Sequence, residues 1–496
     1  YKSLRFLEMD ILELQKLCKG ETQIGAVMGT CIHLDQFYGI ELLDFPHEIA
    51  MLSLWLAQHQ MDNKLFETFK INTQALPLHN ITQIQCGNAC RLDWNVVCPH
   101  EKDDEVFVFG NPPYLGARNQ SVEQKEDMKV VFKDLQFGML DYVVCWFFKA
   151  AYYISKSASV LCAFVSTNSI TQGIQISAMW KPLLNNDIDI IFAYQSFRWE
   201  NNAKSNAGVT CVIIGIGDKS VKRPRLLYTN TNTLKLKSIS PALSTTTCSI
   251  VYPTNKNING FKPMLKGSLP ADDNYLTLYD NDLKILSSKY SEISMLIKPF
   301  IGSQEMLRSE NRYCIWVNDS NVDLAYEIPE FVNRFECVKK MRLGSKKKNT
   351  RDLSSKPYIF TENRFRKPSG LIIPVVSSER REYIPMAFFK PDTVIYYSAF
   401  AIYDAETWLF GILESKMHMA WVRTVGGKLE TRYRYSAQLC YNTFPFPKIT
   451  NEKRAELTKA AEDILVTRAG YPEKTLAEMY DPDKMPQDLR EAHNTL

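Results

Sequence analysis

At 496 residues, 45% hydrophobic and 23% charged, the chain has material for two or three domains that each bury a core, which excludes a disordered or fibrous chain. No apolar run approaches the roughly 18 residues of a membrane span and no signal peptide is visible, so neither a membrane protein nor a secreted one is expected. Twelve cysteines without a disulfide-like framework suit a reducing, cytoplasmic setting, and the net charge of +4 is too small to mark the whole chain as a polycation.

The chain opens mid-helix, with Tyr1-Lys2-Ser3-Leu4-Arg5-Phe6-Leu7, as a fragment would, and residues 1–19 read as an amphipathic helix. Gln36-Phe37-Tyr38-Gly39-Ile40-Glu41 reads as a strand ending in an acid. A helix follows, with Asp44 as its cap, Pro46 in its first turn and Ile49, Leu52, Trp55 and Leu56 at helical spacing. Residues 81–85 form a short strand before Gly87-Asn88-Ala89. Residues 105–109 form the next strand, 140–154 a helix, 159–165 a strand, 176–184 a helix, and 188–194 and 208–216 two further strands. This alternation predicts an α/β domain over 1–220, a mainly parallel sheet with helices on both faces. The polar, Thr-, Ser- and Asn-rich stretch 221–290 reads as a connector, and 451–496 as a helical C-terminal segment punctuated around Tyr480-Asp481-Pro482-Asp483.

The strand Val106-Phe107-Val108-Phe109 and Gly110 empty into Asn111-Pro112-Pro113-Tyr114. A neutral amide, two rigid prolines and an aromatic at a strand's carboxyl end are the parts needed to methylate an exocyclic amine. The amino group of adenine is a poor nucleophile because its lone pair is delocalised into the ring. The Asn111 oxygen and the Pro112 carbonyl can each accept one of its N–H bonds and favour the pyramidal nitrogen, and Tyr114 offers a face to a base swung out of the helix. Pro113 completes the rigid pair. The alternative is a plain strand-to-loop turn.

Ligands of such sheets bind beyond the carboxyl ends of the strands. Glu41 could accept both hydrogen bonds of a ribose diol, or be a surface acid capping the next helix. Asn88 could recognise the adenine of a nucleoside cofactor, or be a turn residue after Gly87. Phe197, in Phe197-Arg198-Trp199 after the strand 188–194, could pack on the other side of the target base, or be a core aromatic at the base of a loop. Cys86, Cys90, Cys98 and His100 lack the paired spacing of structural zinc sites, and no metal is expected. The acid-and-lysine pattern of Pro391-Asp392 and Glu414-Ser415-Lys416 imitates metal-dependent nucleases without their context.

Residues 331–390 hold 15 Lys or Arg against 5 Asp or Glu, interleaved with aromatics. Lys346, Lys347, Lys348 and Arg351, then Arg364 and Arg366, then Arg380 and Arg381, are either a solvated loop system or a surface for phosphates. Glu430 and Arg432 would share a face of an extended stretch, suited to a C·G pair or to a surface ion pair.

With these residues in view the chain resembles the amino-group DNA methyltransferases, and more narrowly the MmeI-like group of type IIG (type IIL) restriction–modification enzymes. The resemblance rests on the stretches 36–41, 110–116 and 140–143, and on Ser166-Thr167-Asn168-Ser169-Ile170-Thr171-Gln172-Gly173. It continues through Phe300-Ile301-Gly302-Ser303-Gln304-Glu305, Ser377-Ser378-Glu379-Arg380-Arg381, Ser415-Lys416-Met417-His418-Met419-Ala420-Trp421 and Tyr433-Arg434-Tyr435-Ser436.

The resemblance covers essentially the whole chain. It implies a Rossmann-like catalytic domain using S-adenosyl-L-methionine to methylate adenine N6, followed by a mixed α+β target recognition domain over 291–450, and double-stranded DNA as the partner of the basic residues. It also implies a Gly-rich cofactor loop just before Tyr1 and a nuclease further upstream, neither of which is in this sequence. Two other functions stand beside this one: methylation of another amine, such as a protein glutamine or an RNA base, and DNA recognition without activity. The oligomeric state is not legible.

Overall fold

A computed structural model of the chain describes residues 1–19, 30–71, 83–101, 103–135, 137–155, 159–199, 209–245 and 250–496. It divides into two compact units, one of residues 1–170 and 178–248, the other of 171–177 and 249–496.

The first unit holds the α/β pattern. A helix spans Lys2–Lys19 and a longer one Asp44–Phe69. Asp44 lies in the first turn of the longer helix, where it complements the dipole, and Leu43 occupies the cap position expected for Asp44. Strands β1 (Gly39–Glu41) and β2 (Ile84–Cys86) pair in parallel as a sheet of their own; residues 81 and 82 of the expected strand lie outside the described residues.

The main sheet has six strands: β3 (Val106–Gly110), β4 (Val160–Thr167), β5 (Ile188–Trp199), β6 (Val209–Asp218), β7 (Arg225–Tyr228) and β8 (Thr233–Leu236). Their order is β3-β4-β6-β5-β7-β8. The sheet is mixed rather than mainly parallel, because β6 runs antiparallel to both of its neighbours, β4 and β5, and β8 is antiparallel to β7.

Along β4 burial alternates strictly, with Val160, Cys162, Phe164 and Ser166 on the buried face. Helix Val144–Ile154 covers that face, and its Phe147 meets Phe164 edge-on with ring centroids 5.3 Å apart. Burying such aromatics contributes about 1.5–3 kcal/mol each before entropy is counted. The expected helix 176–184 divides into a π-helical turn, Ile176–Trp180, and a short α-helix, Lys181–Asn185. The stretch 221–290 carries β7 and β8 in the first unit, and strand Leu265–Lys266 and helix Asp280–Lys289 in the second.

The second unit mixes small sheets with helices. Strands Gly370–Pro374 and Ala399–Tyr403 form the antiparallel centre of one sheet. Helices Thr407–Leu413 and Lys416–Val425 and the C-terminal helices Asn451–Ala469 and Gln487–Thr495 contribute to one apolar core.

A buried polar cluster sits within that core. Arg468 donates to Glu414 Oε1 at 2.9 Å and to the Met386 carbonyl at 2.7 Å, and the Tyr480 hydroxyl lies 2.7 Å from His493 Nε2. Glu414 therefore pairs with Arg468, and Asp392 pairs with Lys298 at 2.5 Å, so each acid of the nuclease-like pattern meets a cation of its own.

His418 is also buried, with Nε2 2.8 Å from the Tyr435 hydroxyl, and burial pushes its pKa down to about 3. The unfolded chain takes up that proton near pH 6.5 and the folded chain does not, so stability is lost as pH falls below about 6.5. Denaturant midpoints for the second unit should drop between pH 7 and pH 5, with His418 contributing up to about 1.4 kcal/mol per pH unit. Replacing His418 by Gln should remove about one proton from that slope; an unchanged slope contradicts the assignment.

Candidate functional site

The carboxyl ends of β1 and β2 stand side by side. Glu41 is in register with Cys86, and the Gly87 N–H donates to the Glu41 carbonyl at 2.7 Å, so Glu41 and the turn holding Asn88 are brought together. The Glu41 side chain is half-exposed, and among the described residues its carboxylate has no hydrogen-bond partner.

Asn88 is differently placed. Its Nδ2 donates to Asp127 at 2.8 Å and its Oδ1 accepts the Cys90 N–H at 2.9 Å, so the amide shapes its own turn. Asp127 also accepts from Arg91 and from the Tyr142 hydroxyl. Burial raises its carboxyl, but the hydrogen bonds from Asn88, Arg91 and Tyr142 outweigh that and hold it below the ordinary range. Sequence reasoning missed Asp127. It sits amid the charged run Glu123 to Lys129 and looks like a solvated helix face until the turn at 88–91 packs on it.

The Asn111–Tyr114 segment leaves the end of β3 as an open loop. Asn111 and Pro113 are exposed, Pro112 is buried and Tyr114 is half-buried. Among the described residues the Asn111 side chain has no hydrogen-bond partner, so its oxygen is available. Tyr114 lies beside the Cys211 thiol, and burial raises its pKa above the usual value.

Phe197 lies directly opposite Cys211 on the paired strand. Tyr114 and Phe197 thus converge on one residue of β6. Phe197 is not in a loop: β5 continues through it after a register shift between Tyr194 and Phe197, and such a bulge re-aims a side chain.

Cys86, Cys90, Cys98 and His100 do not converge. Among the described residues the one group with ligand spacing is Asp44, His47 and Glu48, and His47 Nε2 already lies 3.0 Å from the Ile84 carbonyl.

In the second unit the basic residues differ in their freedom. Lys346, Lys347, Lys348 and Arg366 are exposed, and none of their side chains pairs with an acid among the described residues. Arg351 is exposed and donates to the Ser345 carbonyl. Arg364 pairs with Glu362 and donates to the Gly267 carbonyl, and Arg380 pairs with Asp483. Arg381 is half-buried, and burial lowers its pKa.

Glu430 and Arg432 are not on one extended stretch. Strands Gly427–Leu429 and Arg432–Arg434 form a hairpin in which Leu429 is in register with Arg432, and Glu430 turns at φ +59°. Two residues must reverse the chain there, and a left-handed residue allows it. Arg432 then meets Glu430 at 2.8 Å across the turn, both exposed. The Lys428 N–H donates to Gln172 Oε1 at 3.0 Å, and Gly173, at φ +53°, lies so close that a Cβ there would stand 3.3 Å from Gly427 Cα.

Three family models match in succession: MmeI, DNA-methyltransferase domain, over residues 1–229; MmeI, target recognition domain, over 246–448; and MmeI, C-terminal domain, over 449–496. A protein of Bacillus subtilis (strain 168) named DNA methyltransferase A is 40% identical over 499 residues, covering 100% of this chain and 56% of its own. The solved structure of the type IIL restriction–modification enzyme MmeI in complex with DNA superposes with a TM-score of 0.91 at 36% identity, covering 100% of this chain and 66% of that one. The chain therefore spans about half the length of the curated relative it matches.

Proposed function

The chain belongs to the MmeI family, whose methyltransferase, target recognition and C-terminal domains it carries in that order, and from that premise we propose that it methylates adenine N6 at specific sites in double-stranded DNA as part of a restriction–modification system. The observation that carries the reading is the Asn111–Tyr114 loop. An amide oxygen without a partner among the described residues stands at a strand's carboxyl end, with Tyr114 and Phe197 converging beside it on Cys211.

In this reading the extruded adenine stacks on Tyr114 and is backed by Phe197. Its amino N–H bonds are accepted by the Asn111 side-chain oxygen and the Pro112 carbonyl, which localises the lone pair on nitrogen. Pro113 keeps the loop rigid. S-Adenosyl-L-methionine, when bound, supplies the methyl group. Glu41 fits its ribose diol because that carboxylate has no partner among the described residues, and Asn88 contributes by shaping the adjacent turn. The exposed Lys346, Lys347, Lys348, Arg351 and Arg366 face phosphates, while Arg364, Arg380 and Arg381 exchange or supplement internal contacts to do so.

The test is incubation of the natural protein with DNA and labelled S-adenosyl-L-methionine, followed by identification of the modified base. A 2-aminopurine at the target position should fluoresce on binding, and Tyr114→Ala should weaken capture of the flipped base by roughly 1–3 kcal/mol. Label on another base, or no fluorescence with DNA bound, contradicts the proposal.

A further inference from the structure

Two consecutive residues reach both halves of the site just described. Asp141 is 5% exposed. Its Oδ1 accepts the Leu115 N–H at 2.8 Å and the Val143 N–H at 3.3 Å, and its Oδ2 lies 3.4 Å from the Thr167 hydroxyl. The next residue, Tyr142, donates its backbone N–H to the Leu115 carbonyl at 3.0 Å. Gln120 Nε2 donates to that same carbonyl at 3.0 Å and to the Leu140 carbonyl at 2.9 Å. Leu115, immediately after Tyr114, is therefore held by its N–H and its C=O together.

The Tyr142 side chain reaches the opposite way. Its hydroxyl donates to Asp127 Oδ2 at 2.8 Å, the carboxylate that also receives Asn88, and the Cys90 thiol lies 3.7 Å from the same hydroxyl. Tyr142 is buried and meets Trp146 edge-on, with ring centroids 5.4 Å apart, so its ring is fixed.

We infer that Asp141 and Tyr142 form a positioning device that holds the Asn111–Tyr114 loop in register with the 87–91 turn, so that the acceptors for the amine and the cofactor-side turn keep one geometry. The inference rests on the proposed methyl transfer for its purpose but not for its mechanics. Catalytic groups must be held to a fraction of an ångström, and an open loop leaving an edge strand does not do this by itself. A carboxylate suits the task because one oxygen can accept two backbone N–H bonds at once.

Hydrogen exchange on the natural protein reads this device whether or not it methylates DNA. Asp141→Ala should speed exchange of the 111–120 segment by roughly 10- to 100-fold, as expected for a lost hydrogen bond to a charged group. Other segments should exchange at the parent rate. Tyr142→Phe, which keeps the ring, should speed exchange at 87–91 instead.

If Asp141→Ala does not fold, Asp141→Asn keeps one acceptor oxygen and should show a smaller acceleration at the same segment. In methylation assays Asp141→Asn should lower kcat with little change in KM for DNA. Parent-like exchange at 111–120 in a folded Asp141 variant overturns the inference, as does acceleration spread evenly over the chain or a loss confined to KM. Absence of methyl transfer by the parent protein, with the segment-specific exchange present, would count against the proposed function alone.

Discussion

Asn111→Ala should abolish methyl transfer while leaving DNA binding nearly intact. Its side chain is exposed and has no protein hydrogen-bond partner among the described residues, so its removal leaves no buried group unpaired and no packing void. The expected loss is therefore kinetic. An acceptor aimed at the reacting amine acts where the nitrogen changes shape, and deleting one such preorganised group costs about 10²–10³ in rate. Single-turnover methylation and a DNA-binding titration on the same preparations separate the two effects. Methylation at the parent rate would show that Asn111 is only a turn residue.

Reversing the hairpin pair, Glu430→Lys with Arg432→Asp, should change the preferred base at one position of the recognised site. The two side chains face each other at 2.8 Å and are 71% and 44% exposed, so the reversed pair can still form and the hairpin should persist. As a stability element the pair contributes at most about 1 kcal/mol. As base readers the two groups are complementary to C·G, with Glu accepting from the cytosine amino group and Arg donating to guanine, worth roughly 1–3 kcal/mol of discrimination. Sequencing the methylated sites of the double variant would reveal the altered position. An unchanged motif at normal activity would reduce Glu430 and Arg432 to a surface ion pair.

The sequence by itself determined the local pieces. Period-2 and period-3.6 patterns located several strands and helices of the first unit, but not helix Val122–Phe132, β7 or β8. The Gly–Asn–Pro–Pro–Tyr string located the loop because its residue types carry their geometry with them: proline fixes φ, and a strand of four apolar residues has to end where they begin. The family was legible from several such strings in a fixed order.

Tertiary structure decided what pairs with what. Periodicity does not encode ladder direction, so the antiparallel β6 was invisible until Leu161–Thr167 was seen against Gly217–Cys211. Nor does spacing encode a hydrogen bond over a distance. Asn88 looked outward in sequence, yet its amide is held by Asp127, 39 residues away, and Glu414 imitated a metal ligand until Arg468 was brought against it from 54 residues away. Spacing made Glu430 and Arg432 look like alternate residues of one strand, but they meet across a hairpin turn because Glu430 adopts positive φ. Side-chain partners are chosen by burial: a polar group removed from water must find a complement wherever the fold supplies one, and that choice is made only after the chain has packed.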